Sequence, residues 1–171
     1  PRAKRQWILD ADLSAAFDRI DHDRLLAHLG TFPGRGMISG WLAAGVIERG
    51  RFAPTGQGTP QGGVISPMLL NIALHGMEKA AGVRYLRCDT YGVETRADSP
   101  VLVRYADDFV VMCHTRDQAE QVWRRLGEWL VPRGLAFNED KTHIVHADQG
   151  FDFLGFNIRR YSGKLLIKPS P

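Results

Sequence analysis

The chain has 171 residues, 44% hydrophobic and 24% charged, which fits one folded globular domain with a real core and excludes a disordered chain. No apolar stretch is long enough to span a bilayer and no basic segment leads into an apolar run as in a secretory signal. Two cysteines, Cys88 and Cys113, give no disulfide framework, so a reducing compartment is expected. The net charge of +3 lies entirely in residues 141–171, where Lys141, Arg159, Arg160, Lys164 and Lys168 face only Asp148 and Asp152. A phosphate backbone can lie there.

Taken in order, Trp7 to Asp12 is a short apolar run ending in acids, the pattern of a strand. Leu25, Leu26 and Leu29 are spaced for a helix over 22–29, with Asp21 placed to cap it. After the breaker Phe32-Pro33-Gly34 the spacing predicts a second helix over 37–47. Residues 50–63, rich in Gly, Pro and Gln, read as a loop or loose hairpin. Ile65 to Ala81 reads as one long apolar helix, with Pro67 tolerated in its first turn. Residues 82–100 have no clear period and read as a connection.

Val101–Tyr105 and Phe109–Cys113 are two apolar strands joined by Ala106-Asp107-Asp108, a hairpin with acids at its tip. Residues 118–131 carry a helical stripe, Ala119, Val122, Trp123, Leu126 and Leu130. Residues 142–147 and 151–158 read as strands, with a further one over 165–167. Strand, helices, hairpin, helix, strand is the order of an α+β fold: a ferredoxin-like split βαβ antiparallel sheet with helices on one face.

Five segments carry chemistry. At the end of the first strand stand Asp10 and Asp12, which face one side of it. At the hairpin tip stand Asp107 and Asp108, whose mutual repulsion calls for a cation if they are buried. In a split βαβ the first strand lies beside that hairpin, so Asp12 approaches both. Three carboxylates suit Mg²⁺, a hard ion that takes oxygens and substrate phosphates. Two such ions roughly 3.5–4 Å apart can activate an attacking hydroxyl and stabilise a leaving oxygen. The third segment is Gly58-Thr59-Pro60-Gln61-Gly62-Gly63, where glycines allow close backbone approach before a helix start that attracts anions. The fourth, Gly134 to Thr142, delivers Lys141 to the start of a strand, and the fifth is Phe153-Leu154-Gly155-Phe156.

In this order and spacing the five segments make the chain resemble the reverse transcriptase domain of group II intron-encoded proteins, the maturase/reverse transcriptase family. The resemblance runs from about Trp7 to Lys168. Asp12–His22, Gly58–Asn71, Arg104–Val111, Gly134–Val145 and Phe151–Arg160 match that family's motifs A to E in turn. It implies a polymerase palm (1–149) followed by a primer-grip hairpin (150–171), together one domain that copies RNA into DNA by two-metal nucleotidyl transfer.

Carried over by position, the resemblance implies metal ligation by Asp12, Asp107, Asp108 and the main-chain carbonyl of Leu13, with two Mg²⁺ ions for which Mn²⁺ can substitute. It makes Phe17 the ring that screens the sugar 2′ position. Gln61 and Gly62, with Tyr105, shape the nucleotide and template pocket, and Lys141 lies near the leaving pyrophosphate as a proton donor. Phe153, Leu154, Gly155 and Phe156 form the primer grip. Ser14-Ala15 stands where many relatives have Lys-Gly, a departure that leaves Asp12 untouched. Asp10, Asp18 and Asp21 are read as structural, by capping or pairing with Arg19 and Arg24.

The implied partners are an RNA template, a DNA primer, deoxynucleotides and the protein's own intron RNA, with no membrane. The implied setting is the bacterial cytoplasm, near the nucleoid when DNA is the target. No segment matches the family's fingers or thumb, so the chain is expected to be part of a longer protein and inactive alone. Other readings are a splicing factor that uses its palm only as an RNA-binding scaffold, a retron, diversity-generating or CRISPR-associated reverse transcriptase, and an inert remnant. The intact Asp12, Asp107 and Asp108 favour the enzyme over the scaffold.

Overall fold

The computed structural model describes residues 5–48, 50–59, 63–88 and 92–170. In chain order the elements are β1 (Trp7–Ala11), α1 (Ala16–Arg19), α2 (His22–Leu29), α3 (Arg35–Ala43), β2 (Val46–Glu48), β3 (Arg51–Ala53), α4 (Ser66–Ala73), α5 (Met77–Ala81), β4 (Tyr85–Cys88), β5 (Gly92–Thr95), β6 (Val101–Tyr105), β7 (Asp108–Cys113), α6 (Arg116–Leu130), β8 (His143–His146), β9 (Phe151–Phe153), β10 (Phe156–Tyr161) and β11 (Lys164–Pro169). They divide into two units, the first drawn from Pro1–Asp12, Gly76–Glu128 and Phe137–Pro171, the second from Leu13–His75 and Trp129–Ala136.

The first unit is built on an antiparallel sheet of order β6-β7-β1-β8, with the first strand between the hairpin and the last strand. That is the split βαβ order expected from the sequence. Alternation decides the faces. Leu9, Ala11, Phe109, Val111 and Cys113 point to one side and are buried there. Phe137 joins this layer, with its ring 6.1 Å from Phe109 and 6.3 Å edge-on from Trp123 of α6. The α6 stripe Ala119, Val122 and Leu126 is buried as its spacing requires. A reciprocal cap starts that helix: Gln118 N–H donates to Thr115 Oγ1 (3.1 Å), and His114 N–H donates to Gln118 Oε1 (2.8 Å).

The other side of the sheet presents Ile8, Val103, Val110 and Met112 to a groove of about 580 Å³. Its far wall is the second sheet of the unit, β11-β10-β9, through Phe151, Phe153, Ile158, Leu165 and Ile167.

In the second unit Asp21 caps α2 as expected, its Oδ1 accepting from Arg24 N–H at 2.7 Å. The core is Ile20, Leu25, Ile38, Leu42, Leu69 and Leu70. Two glycines, Gly58 and Gly134, press on α1. A Cβ on Gly58 would stand 2.5 Å from the Asp18 carbonyl oxygen, and one on Gly134 would collide with the Arg19 carbonyl. Both have positive φ, so glycine is needed twice over. Arg133 is buried, donating to the carbonyls of Ala73 (3.2 Å) and Trp129 (2.7 Å) with its guanidinium 3.6 Å from the Trp129 ring centroid.

Four expectations fail, each for a local reason. The helix expected over 37–47 ends at Ala43. Gly45 is left-handed, with the Phe52 ring and Ala53 carbonyl where a Cβ would be, and the chain then pairs as the β2–β3 hairpin. The helix expected over 65–81 is two, because Gly76 adopts φ 88 between α4 and α5. Residues 82–100 contain the β4–β5 hairpin, a two-stranded ribbon whose Leu86 and Val93 are exposed, so no buried face imprinted a period. The strand expected over 151–158 is the β9–β10 hairpin, turned at Leu154-Gly155 with φ 51 and 78. Among the described residues no helix is long and apolar enough to cross a membrane.

Candidate active site

The register of the central strands places the acids. Ala11 pairs with Phe109, so the next step along the β1–β7 pair sets Asp12 against Asp108 at the strand ends. Asp107 sits in the β6–β7 turn, entered through Ala106 with a left-handed φ of 54. Tyr105, the last residue of β6, pairs with Asp108 and is exposed. From the other edge the turn before β8 is laced to Asp12: Asn138 N–H donates to the Asp12 carbonyl (2.9 Å) and Asn138 Nδ2 to Asp12 Oδ2 (3.3 Å). The same turn carries Lys141, whose Nζ is 3.4 Å from Asp12 Oδ2. Asp12, Asp107, Asp108 and Lys141 are thereby brought together in one unit by strand register and by the contacts of the turn before β8.

The charges are felt. Partial burial, then Asp107 and Asp12, hold the Asp108 carboxyl above the usual carboxylate range, and Lys141 acts the other way. Asp10 is pushed up to about 6, first by burial; the His143 imidazole opposes this, while Asp152, Asp108 and Asp12 add to it. Asp10 was read from the sequence as a capping or Arg-paired residue. It is instead half-buried on the same sheet face as Asp12, across the strand from His143. Asn138, to which the sequence attaches no role, holds Asp12 twice and is a positioning residue. The signal for Asp10 was its two-residue spacing from Asp12; nothing in the sequence marked the Asn138 contact.

The donor set, all carboxylate oxygen, has the chemistry of a site for a hard divalent cation, and the repulsion raising Asp108 is what such a cation would offset. Among the described residues no three His, Cys, Asp or Glu side chains close into a ready-made cage. Substrate oxygens would have to complete the coordination.

The remaining candidates divide between the two units. Phe153, Leu154, Gly155 and Phe156 make the β9–β10 turn of the first unit, with Leu154 and Phe156 exposed at its tip. Leu154 holds a left-handed φ that a leucine rarely adopts. Ser170 N–H, just after β11, donates to the Gly155 carbonyl (2.9 Å) and ties that turn to the chain that follows. Leu13 and Phe17 belong to the second unit. Leu13 has a buried side chain; Phe17 is half-buried in α1, and its carbonyl accepts from Thr59 N–H at 2.5 Å. Ala15 is left-handed with φ 47. Gln61 and Gly62 lie outside the described residues.

A family model described as "Reverse transcriptase (RNA-dependent DNA polymerase)" matches residues 1–158. Protein YkfC of Escherichia coli (strain K12) is 33% identical over 180 residues, covering 91% of this chain and 47% of that protein. Group II intron-encoded protein LtrA of Lactococcus lactis subsp. cremoris is 26% identical over 216 residues, covering 94% of this chain and 36% of that one. The chain therefore spans less than half the length of either relative. Apo telomerase from Candida tropicalis has the same fold over 95% of this chain and 33% of its own, with a TM-score of 0.70 at 15% identity.

Proposed function

The chain belongs to the reverse transcriptase family, and from that premise we propose that the full-length protein is an RNA-directed DNA polymerase of the group II intron-encoded kind. It joins deoxynucleotides to the 3′-hydroxyl of a DNA primer along an RNA template, its own intron RNA being one partner, in the cytoplasm. The observation that carries this is the meeting of Asp12, Asp107 and Asp108 with Lys141 at one end of a split βαβ sheet.

Asp12, Asp107 and Asp108, with the main-chain carbonyl of Leu13, would hold two divalent cations, Mg²⁺ or in its place Mn²⁺. Bound there, the cations supply charge compensation at the attacking and leaving oxygens. The protein's own groups do the rest. Asn138 fixes the Asp12 carboxylate in position. Lys141 Nζ, already beside that carboxylate, gives a proton to the departing pyrophosphate. Tyr105, Gln61 and Gly62 shape the nucleotide pocket, and the Phe153–Phe156 turn holds the primer end. Catalysis requires the nucleotide and the duplex to be aligned as well as the cations to be held.

Asp108→Asn in the full-length protein tests the assignment. Primer extension on a poly(A)/oligo(dT) substrate should fall at least about a hundredfold, ~2.7 kcal/mol of barrier, while the melting temperature holds or rises because a repulsion is removed. Activity retained within about tenfold would overturn the metal assignment.

Substrate choice is carried by Phe17. A ring beside the sugar excludes a ribose 2′-hydroxyl sterically and admits deoxyribose. Phe17→Val should therefore raise ribonucleotide use relative to deoxynucleotide use, read as the ratio of the two kcat/KM values, in which a folding defect cancels. An unchanged ratio with a lower melting temperature returns Phe17 to a packing role.

A further inference from the structure

The β11-β10-β9 sheet has two unlike faces. One, with Phe151, Phe153, Ile158, Leu165 and Ile167, closes the groove against the larger sheet. Register puts Asn157, Arg159, Tyr161, Lys164, Leu166 and Lys168 on the reverse face, through the cross-strand pairs Asn157↔Lys168, Arg159↔Leu166 and Tyr161↔Lys164. Five of these, all but Lys164, line a shallow hollow of about 360 Å³. Tyr161 is 60% exposed, with the Arg159 guanidinium 5.9 Å from its ring centroid. The Arg159 Nε donates to the Asp148 carbonyl at 2.8 Å, which orients the guanidinium without neutralising it. Among the described residues no carboxylate pairs with Lys164 or Lys168. Asp152 is the acid of this face, held by Asn157 Nδ2 (2.8 Å) and Ser170 Oγ (3.0 Å).

We propose that this reverse face, Tyr161 flanked by Arg159, Lys164 and Lys168, is a binding surface for unpaired RNA. Three cations against one acid select a polyanion. An exposed tyrosine ring backed by a guanidinium on an open sheet gives a base a face to stack on, and a sheet presenting its aromatics this way suits single strands. A duplex hides its base faces, so the stacked strand is one not yet paired. Given the polymerase reading above, on which this inference rests for the identity of the strand, the unpaired strand is RNA. The surface is separate from the β9–β10 turn assigned to the primer and lies on the reverse of its sheet, with Arg159 at an edge that also borders the groove.

The test is binding of a fluorescein-labelled single-stranded RNA of about 16 nucleotides, the upper end of single-strand site sizes, to the full-length protein, by anisotropy over a range of salt. Combined Arg159→Gln, Lys164→Gln and Lys168→Gln should flatten the slope of log affinity against log salt by about 2, at roughly 0.7 per phosphate contact. Tyr161→Ala should weaken binding about tenfold, and Tyr161→Phe should restore it. An unchanged slope, or a Tyr161→Ala protein binding as wild type does, overturns the inference. So does DNA of the same sequence binding as tightly and losing as much in the same variants, which would assign the face to DNA. Asp108→Asn should leave this binding intact. If the variants show the slope change and the Tyr161 effect but wild-type protein gives no primer extension under any condition, the polymerase reading fails alone; extension with neither effect means that this inference fails alone.

Discussion

The two sheets of the first unit are held together by different means. In β6-β7-β1-β8 the central strands are buried on both sides: Leu9, Val111 and Cys113 have no accessible surface, and Ile8 and Val110 on the other face have almost none. A slip of one residue there would turn Asp10 and Asp12 into the hydrophobic layer, so register is fixed by burial. In β11-β10-β9 every residue of the last strand is exposed, Leu165 at 65% and Ile167 at 58%. Register there depends on two tight turns, Leu154-Gly155 and Ser162-Gly163, all four residues at positive φ. The carboxylates, which must meet within ångströms of one another, sit on the over-determined sheet. The cations of the reverse face sit on the loosely determined one. Precision of placement follows burial.

The sharpest way to break this comparison is to truncate one apolar residue in each sheet. Leu9→Ala should cost about 3 kcal/mol or more in denaturant unfolding, since it leaves a cavity in a layer with no room to collapse. It should also lower primer extension by misplacing Asp10 and Asp12. If Leu9→Ala were as mild as a surface change, burial would not be what positions the acids.

Asp10 gives the next effect. Its carboxyl is pushed up to about 6 from an ordinary 3.8, so between those values the folded protein holds a proton that the unfolded chain has lost. That contribution to stability is complete below about pH 4 and is lost as pH rises through about 6. At pH 8 in chelator, where no cation offsets the charge, Asp10→Asn should therefore be more stable than wild type by on the order of 1–2 kcal/mol, and the difference should vanish toward pH 4. Melting curves across that range measure it. A difference independent of pH would mean that Asp10 acts by shape rather than by charge.

The smallest effect belongs to the exposed sheet. Ile167→Ala should cost less than about 1 kcal/mol, since over half of that side chain is already in water. A cost matching that of Leu9→Ala would show the second sheet to be as tightly determined as the first.

Much of this was legible from local pattern. The helix at 22–29 and its Asp21 cap were read to the residue, because a capping side chain and a leucine stripe are both short-range facts. The β6–β7 hairpin with acids at its tip was legible for the same reason. The strand order followed from the element order and the packing rules for a split βαβ. Breaks inside apolar runs were not legible. In Phe153–Phe156 apolar residues flank the turn on both sides, and in Ile65–Ala81 they lie on both sides of Gly76, so neither turn is marked; each glycine's left-handed φ is settled only when the flanking segments pair or pack.

The amino-acid order alone thus determined which acids would be available, on which strands, and that the basic excess lay at the C-terminal end. Tertiary structure decided what each of them meets. It turned Asp10 from an expected capping or Arg-paired residue into a half-buried carboxylate, gave Asn138 its hold on Asp12, and gathered three of the C-terminal cations on one face around Tyr161. The physical reason is range. Propensity, capping and alternation act over a few residues and are written locally, whereas desolvation, charge coupling and cross-strand partnership exist only once distant segments lie side by side.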